Sequence, residues 1–530
     1  MPATLSYPGV YIEETPSGVR TITGVATSIT AFLGRTASGP QDEPVIINSY
    51  GDFERLFGKL DPDYPLAYAV RDFYLNGGAT AVIVRLYKAK EGDGVKTHAL
   101  LAPPGLPLKA ASPGTWANKL RARIDHDVSA DVAARYKLDK TDLFNLTIRD
   151  GASGATETFL NLSVKESPRR VDRVLAAESR LVRVDGLALP GTKVPDKHKD
   201  ADKSVWTDAA QSTPVKEPDD LASDSAPLDQ KTWEGDPVAG TGIHALKKTD
   251  LFNLLVIPPD TREGDVPKAV LATALAYCVE RRTMLLVDAP VKWKTPADIT
   301  AQSVSDDLGL AGEAARNAAI FYPRLIEADP QRDGQLDAFA PGGAVAGIFA
   351  RSDARRGVWK APAGLDAAFT GVQGLTVNLT NPENGMINPL GVNALRSFPA
   401  AGRVVWGART ARGADLLGDE YKYVPVRRLA LFIEESLYRG TQWAVFEPND
   451  EPLWAQLRLN LGAFMQNLFR QGAFQGQSPR DAYFVKCDKE TTTQNDINLG
   501  IVNVVVGFAP LKPAEFVVIR LQQIAGQIQA

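Results

Sequence analysis

Cysteine and histidine are scarce in this chain, and their scarcity removes whole classes of chemistry. Two cysteines, Cys278 and Cys487, serve 530 residues and stand far apart within apolar stretches. That reads as two buried, reduced thiols and not as a disulfide framework. The four histidines, His98, His126, His198 and His244, are scattered. No His-Glu-x-x-His set and no Cys-x-x-Cys accompany them, so no metal site is expected. Charge of one sign is lacking too: the formal net charge is −4, too small for this length to create a field that gathers nucleic acid or an anionic membrane. No run reaches the roughly 18 consecutive apolar residues of a membrane span, so direct membrane insertion is not expected. The opening Met1-Pro2-Ala3-Thr4-Leu5 has no basic region followed by an apolar run. The expectation is therefore no signal peptide, with synthesis and assembly in the cytoplasm. The sequons at Asn145, Asn161 and Asn378 are silent on that reading.

Enzyme signatures are missing as well. There is no Walker loop and no Gly-x-Ser-x-Gly elbow. Gly342-Gly343-Ala344-Val345-Ala346-Gly347 has the wrong spacing for a dinucleotide loop and reads as a helix start after Pro341. Asp288, at the end of a buried strand, sits where α/β enzymes place acids, but it has no partner and reads as a turn or cap residue. Glu434 and Glu435 are adjacent on a helix and diverge by about 100°, so they do not form a carboxylate pair. No catalytic, cofactor-binding or metal residue is expected.

What the chain does have is core. An apolar fraction of 44% and a charged fraction of 23% are globular values, and the length implies roughly two to four domains. Tyr7 to Glu14 is a Pro/Gly-bounded, β-prone arm suited to an edge or an added strand. Ile22–Gly34 reads as a strand, Pro65–Leu75 as a helix stopped by Asn76-Gly77-Gly78, and Ala81–Leu86 as a strand. From Ala89 to about Gly240 short strand candidates alternate with polar stretches. The segment 191–240 is polar enough to be an exposed, partly mobile loop. Lys140-Thr141-Asp142-Leu143-Phe144-Asn145-Leu146 recurs as Lys248-Thr249-Asp250-Leu251-Phe252-Asn253-Leu254; two copies are too few for a repeat architecture. From Leu254 strands and helices alternate: strand 254–259, helix 266–282, strand 284–288, a helical stretch 297–315 and strand 318–323. That order implies parallel pairing with right-handed crossovers. Further on come helix 426–438, strand 442–446, a helix through about Phe469 opened by Asn449-Asp450-Glu451-Pro452, and strands 501–508 and 516–521. The last strand is almost wholly apolar and terminal, so something must cover it.

Several runs resemble one family. Asn388-Pro389-Leu390-Gly391-Val392-Asn393-Ala394-Leu395-Arg396-Ser397-Phe398-Pro399, Gly402–Thr410, Phe446-Glu447-Pro448-Asn449-Asp450-Glu451-Pro452-Leu453-Trp454, Arg470–Phe474, Tyr483–Asp488 and Val506–Val517 are similar to the sheath proteins of contractile tails. Tyr7–Glu14 and Gly24–Ser28 resemble the family's N-terminus. The resemblance implies an α/β and α+β multidomain subunit. Its parts would be an N-terminal strand arm (1–20), a conserved sheath domain contributed by 21–88 and 375–510, an outer variable β-rich insertion (89–241), an α/β middle domain (242–374) and a C-terminal strand arm (511–530). It implies a homo-oligomer, a helical stack of hexameric rings around an inner tube protein, with baseplate and terminal cap proteins. Contraction of such a sleeve drives the tube through a target membrane without nucleotide. Val10, Tyr11 and Ile12 at one end, and Phe516, Val517, Val518, Ile519 and Leu521 at the other, would be the inter-subunit strands. Pro16, Gly18 and Pro513 would be hinges, and Arg458 and Arg470 would face the tube. Two other readings stay open on the residues alone: an α/β enzyme using Asp288 with an oligomerisation module, and a non-contractile structural or adhesion protein.

Overall fold

A computed structural model describes residues 20–92, 94–186, 193–199 and 205–521. Val10, Tyr11, Ile12, Pro16 and Gly18 lie outside the described residues. The chain opens with β1 (Thr30–Gly34), β2 (Val45–Ile47), α1 (Tyr50–Phe57), α2 (Pro65–Leu75) and β3 (Ala81–Arg85). The strand expected from Ile22 begins only at Thr30, because the amides and carbonyls of 25–27 are taken by side chains of other segments.

The next stretch forms two small antiparallel sheets. Its elements are β4 (Leu100–Leu101), β5 (Leu108–Ala110), β6 (Leu120–Asp125), α3 (Ala130–Arg135), β7 (Leu143–Asp150), β8 (Thr156–Ser163), α4 (Val171–Glu178), β9 (Val182–Val184), β10 (Thr213–Pro214) and α5 (Gln230–Glu234). The sheets, β10-β6-β7-β8 and β4-β5-β9, enclose a core of their own that includes Ile124, Phe144, Leu146, Leu162 and Leu175. The expectation of an exposed loop over 191–240 is corrected for the residues described there. Ser212 is fully buried, as are Val215 and Trp233. Order there comes from hydrogen bonds more than apolar area. Arg121 donates to Ser212 Oγ (2.8 Å), Arg123 donates to the Gln211 carbonyl (2.8 Å) and lies over the Trp206 ring, and His198 accepts from the Ile124 amide (3.0 Å). Each such bond contributes about 1 kcal/mol.

The remainder comprises β11 (Leu254–Val256), α6 (Lys268–Glu280), β12 (Met284–Asp288), α7 (Ala301–Leu308), β13 (Ala318–Tyr322), β14 (Leu325–Asp329), β15 (Gln335–Phe339), α8 (Gly342–Arg356), β16 (Val372–Leu375), α9 (Asn381–Ile387), β17 (Val392–Phe398), β18 (Gly402–Val405), α10 (Val424–Gly440), α11 (Glu451–Arg470), α12 (Pro479–Ala482), β19 (Tyr483–Lys486), α13 (Gln494–Asn498) and β20 (Val505–Phe508). The recurring heptapeptide leads into different structures. Leu143 starts the antiparallel β7, whereas Leu251 precedes a parallel strand that begins at Leu254.

One eight-stranded sheet runs β18-β17-β13-β12-β11-β1-β3-β2. Its interior pairs are parallel and the edge strands β18 and β2 are antiparallel. Thr30 pairs with Leu254 and with Ala81, so 30–85 and 254–405 share a single sheet that crosses the expected boundaries at 88/242 and 374/375. The strands are apolar on both faces because helices cover both. Ala31, Leu33, Val82 and Leu255 face α6. Phe32, Ile83, Val256 and Leu286 face α2 and α8. Gly343 and Gly347 let α8 lie directly on α2: a Cβ at Gly343 would stand 2.1 Å from the Ala69 carbonyl oxygen, and one at Gly347 2.4 Å from that of Phe73. The glycine run thus serves helix packing. The stretch expected as helix over 297–315 breaks into α7, ended by Gly309 in the left-handed region (φ 64°), with 3-10 turns at Pro296–Asp298 and Glu313–Asn317 on either side.

The α10 and α11 helices form a second body. Leu429, Ile433, Leu457, Leu461, Phe464 and Met465 pack together with Ile22 and Cys487. The strand expected over 442–446 is instead a 3-10 turn, Gln442–Ala444. The amides of Ala444 and Val445 are bonded to carbonyls three residues back, and the Glu447 amide closes a further turn, so the segment curls instead of extending. Phe446 follows with φ 69° and its side chain fully exposed.

A buried acid pair joins α2 to β14. Asp72 and Glu327 are each 2% exposed, and Arg71 Nη2 reaches both, at 2.8 and 2.6 Å. One cation for two carboxyls leaves one proton between them. Burial first, then the Asp72 charge, pushes Glu327 up to about 9, so Glu327 keeps its proton and donates to Asp72.

Two outcomes are expected. Gly343→Ala should cost about 1–3 kcal/mol of overpacking, whereas Gly462→Ala in α11, where nothing lies within 4 Å, should be neutral or gain up to about 1 kcal/mol; denaturant midpoints that rank them the other way would refute the packing account. The folded state holds the Glu327 proton up to about pH 9 while the unfolded chain releases it near its ordinary value. This group's contribution therefore favours the fold at low pH and is lost as pH rises through that window. Glu327→Gln copies the protonated shape, so its stability relative to wild type should climb between about pH 5 and pH 9. A pH-independent difference in unfolding free energy would rule out the shared proton.

Candidate assembly interface

The chain ends decide what this fold exposes. Strands β19 and β20 pair only with each other, Tyr483 opposite Phe508 and Lys486 opposite Val505. Among the described residues, no named strand borders either outer edge of this ribbon. Phe484 and Val505 are about half exposed on it. Beyond β20 the chain is held by the Gln475 amide on the Ala509 carbonyl (2.9 Å). It then passes Leu511 and the partly buried Pro513 and reaches Glu515.

Glu515 is gripped by four donors. Arg409 donates through Nε (2.7 Å) and Nη2 (2.8 Å), Asn388 through Nδ2 (2.8 Å) and Tyr423 through its hydroxyl (3.1 Å). Burial pushes the Glu515 carboxyl up, but these partners outweigh it and its pKa lies below the usual range. Arg409 has a side-chain exposure of 0%. Its Nη1 donates to the carbonyls of Asn388 and Gly413 and to Asp415 Oδ1 (3.0 Å). Its backbone is fixed to the central sheet: Asn393 of β17 accepts from the Arg409 amide (2.6 Å) and donates to the carbonyls of Arg409 and Ile320.

From Phe516 to Leu521 the chain is bare. Phe516, Val517, Val518, Ile519 and Leu521 are 74–95% exposed. The strand expected over 516–521 has no ladder partner among the described residues, and no strand forms there. An isolated extended segment has nothing to satisfy its backbone except water.

At the other end the chain is sewn onto α10 and α11. The Arg20 amide donates to Asn460 Oδ1 (3.0 Å) and its guanidinium lies over Trp443. Ile22 is buried beside Leu429 and Ile433. The Val25 amide donates to Ser436 Oγ, and Arg428 donates to the Thr27 carbonyl (2.9 Å) while pairing with Asp353 through both nitrogens. Arg428 and Asp353 are each 3% exposed.

Of the other residues singled out, Arg458 turns onto its own chain, pairing with Glu451 (2.6 Å) and donating to the Cys487 carbonyl. Arg470 is exposed in the last turn of α11. Asp288 caps α8, accepting from the Gly342 amide (2.7 Å), and burial raises its pKa to about 6. Glu434 and Glu435 do diverge: Glu435 is buried against Arg282 and Arg439, and Glu434 is exposed and pairs with Arg427. Cys278 and Cys487 are buried free thiols. Among the described residues no group of three or more His, Cys, Asp or Glu could hold a metal ion, and no helix is long and apolar enough to cross a membrane.

Comparison with known proteins places this geometry. The phage tail sheath protein central domain family matches residues 243–411, and the phage tail sheath C-terminal domain family matches residues 418–524. The chain belongs to the phage tail sheath protein family. It is a structural family, not an enzymatic one. The tail sheath protein of Vibrio phage KVP40 is 26% identical over 179 residues, covering 33% of this chain and 26% of that protein. The matched stretch therefore spans about a quarter of that curated relative. Solved structures share the fold over nearly the whole chain. They include the sheath complex of the extracellular contractile injection system PVC in its contracted state (22% identity, 98% of each chain, TM-score 0.56). Others are the contracted helical sheath of the anti-feeding prophage (22%, 98% of this chain and 100% of that one, TM-score 0.55) and a sheath tail protein from Listeria innocua (14%, 93% and 96%, TM-score 0.57). The mixed α/β, multi-sheet architecture is that of tail sheath proteins.

Sequence reasoning missed the Glu515 grip and the Arg428–Asp353 pair. For the first a signal existed: Asn388, Arg409 and Glu515 lie in three of the runs that resemble the family. For the second there was none. Glu515→Ala should destabilise the subunit by about 3 kcal/mol, the scale for removing one partner of a buried pair while its charge stays behind. The Arg409→Met/Glu515→Leu double variant should lose less, since neither charge of the pair is left. Unfolding curves in which the double variant loses more would overturn this account of the grip.

Proposed function

We propose that this chain is the repeating subunit of a contractile sheath, polymerising as a six-fold helical sleeve around an inner tube and shortening to drive the tube through a target membrane. The observation that carries the reading is the pairing of two features near one another in the chain: an exposed apolar segment without a strand partner among the described residues, and a two-stranded ribbon that no further strand borders there. Strand addition between copies satisfies both, since main-chain bonds join the segment to an edge and alternate side chains set the register. The reading takes Phe516–Leu521 of one copy to pair with the β19–β20 ribbon of another, with Val10, Tyr11 and Ile12 adding a strand from the N-terminal arm.

Relatives with this fold were solved as a sheath complex and as a helical sheath, both in a contracted state, and a related chain within a baseplate. By that likeness the partners here are further copies of the chain, an inner tube protein, and baseplate and terminal cap proteins. The α10–α11 body lies inside, with Arg470 toward the tube; Arg458 is already engaged by its own chain. The separately cored segment 89–241 is the outer insertion. Assembly takes place in the cytoplasm, and the stroke draws on closer packing between subunits in the shortened form, with no nucleotide.

Electron microscopy of the expressed chain tests this. Striated tubes or shortened sleeves are expected, and discrete small oligomers without helical order would sink the proposal. Deletion of residues 516–530 retains Glu515, so it should leave a folded, soluble subunit with an unchanged melting temperature that forms no sleeves. Normal sleeves from that truncation would refute strand exchange through the C-terminal arm.

A further inference from the structure

An arm that stays joined to a neighbour while its own body rotates needs a pivot, and proline punctuation suggests Pro513. The hydrogen bonds suggest otherwise. Leu511, Lys512 and Pro513 lie between two anchors: the Gln475–Ala509 bond with the Phe474–Pro510 bridge on one side, and the Glu515 grip on the other. Turning the chain within 511–513 would pull Glu515 away from Arg409. That guanidinium has no exposed surface, and its remaining carboxylate, Asp415, is shared with Lys422 (2.6 Å). Turning the chain after Glu515 breaks no such bond, because Phe516 to Leu521 are solvent-covered.

We propose that Glu515 is the positioning residue of the C-terminal arm: its pair with Arg409 stays closed in every state of the sleeve, and the arm changes direction only beyond it. The inference rests on the assembly reading above. It also defines a load path. Tension on the arm passes from Glu515 to Arg409, from the Arg409 backbone to Asn393 in β17, and from Asn393 to the Ile320 carbonyl in β13. The pull is delivered to β17 and β13, strands inside the eight-stranded sheet, and bypasses the small β19–β20 ribbon. Hydrogen bonds inside a sheet flanked by helices on both faces resist separation better than those of a two-stranded ribbon packed on one face only.

Cryo-electron microscopy of wild-type sleeves, long and shortened, reads the pivot directly. The Arg409–Glu515 spacing should stay within hydrogen-bond range in both states, with arm directions diverging only after residue 515. An open pair in either state, or divergence starting at 511–514, overturns the proposal while leaving the assembly reading intact. Wild-type protein that forms no sleeves overturns both. Variants supply a second measurement. Glu515→Gln keeps the side-chain size and should leave the subunit folded, yet cut sleeve yield about tenfold or more, with partial recovery in Glu515→Asp. Pro513→Gly should assemble and shorten like wild type. Sleeve yields that fall for Pro513→Gly and not for Glu515→Gln return the pivot to the proline and refute the assignment to Glu515.

Discussion

A guanidinium without water is the constraint around which the C-terminal half is arranged. Arg409 is charged at any working pH and fully enclosed, so its surroundings must present acceptors on every side. They do: two backbone carbonyls, Asp415 and both oxygens of Glu515. The carboxylate that completes this set comes from far along the chain, next to the terminal arm. Enclosing the arginine and fixing the root of the arm are therefore one requirement. The bidentate geometry matters, because a fork on a carboxylate restrains direction as well as distance. Arg428 plays the corresponding part at the N-terminal side, closing on Asp353 and on the Thr27 carbonyl. Each end of the described chain is tied to the body by a buried arginine.

These ties let one subunit be both rigid and extendable. The eight-stranded sheet is covered on both faces by helices, and two glycines bring α8 onto the backbone of α2. Little inside it can shift without opening voids or unpairing polar groups. Among the described residues, the grip leaves outside it a short exposed apolar segment, and no further strand borders the two-stranded ribbon. A rigid body with adaptable connectors suits a polymer that must change its packing without dissolving.

Much of this was legible in the residues. The α2 helix, with Pro65 at its start and Asn76-Gly77 at its end, and the strands at 81, 284 and 318 follow from punctuation and apolar runs. The parallel sheet follows from their alternation with helices. The partition into domains was less legible, because β1 and β11 are adjacent in space and more than 200 residues apart in sequence, and no local pattern encodes that register. The error at 442–446 had a local cause: Trp443, Val445 and Phe446 suit a strand, yet turn bonds from the amides of Ala444, Val445 and Glu447 curl the chain first. The polar stretch before Gly240 misled for another reason. Apolar content predicts burial by area, but arginines on β6 order that segment through carbonyls. At the interface the exposed arm was readable from its terminal apolar run. The grip that roots it was not, since its members meet only in three dimensions.

The split sheet bears on how the polypeptide is made. On the ribosome β1 and β3 emerge early and can pair, but the flank of β1 that belongs to β11 stays bare until residue 254 appears. In that interval the intervening segment has its own core and can collapse as a unit. The sheet itself closes only when β17 and β18 have left the exit tunnel, and the tie at Glu515 only when residue 515 has followed them. A nascent chain with an apolar flank open for so long is the stage most exposed to mispairing with its neighbours on a polysome. Because residues 516–521 follow the strands of the sheet in the chain, the exposed apolar segment emerges only after the body it is rooted in.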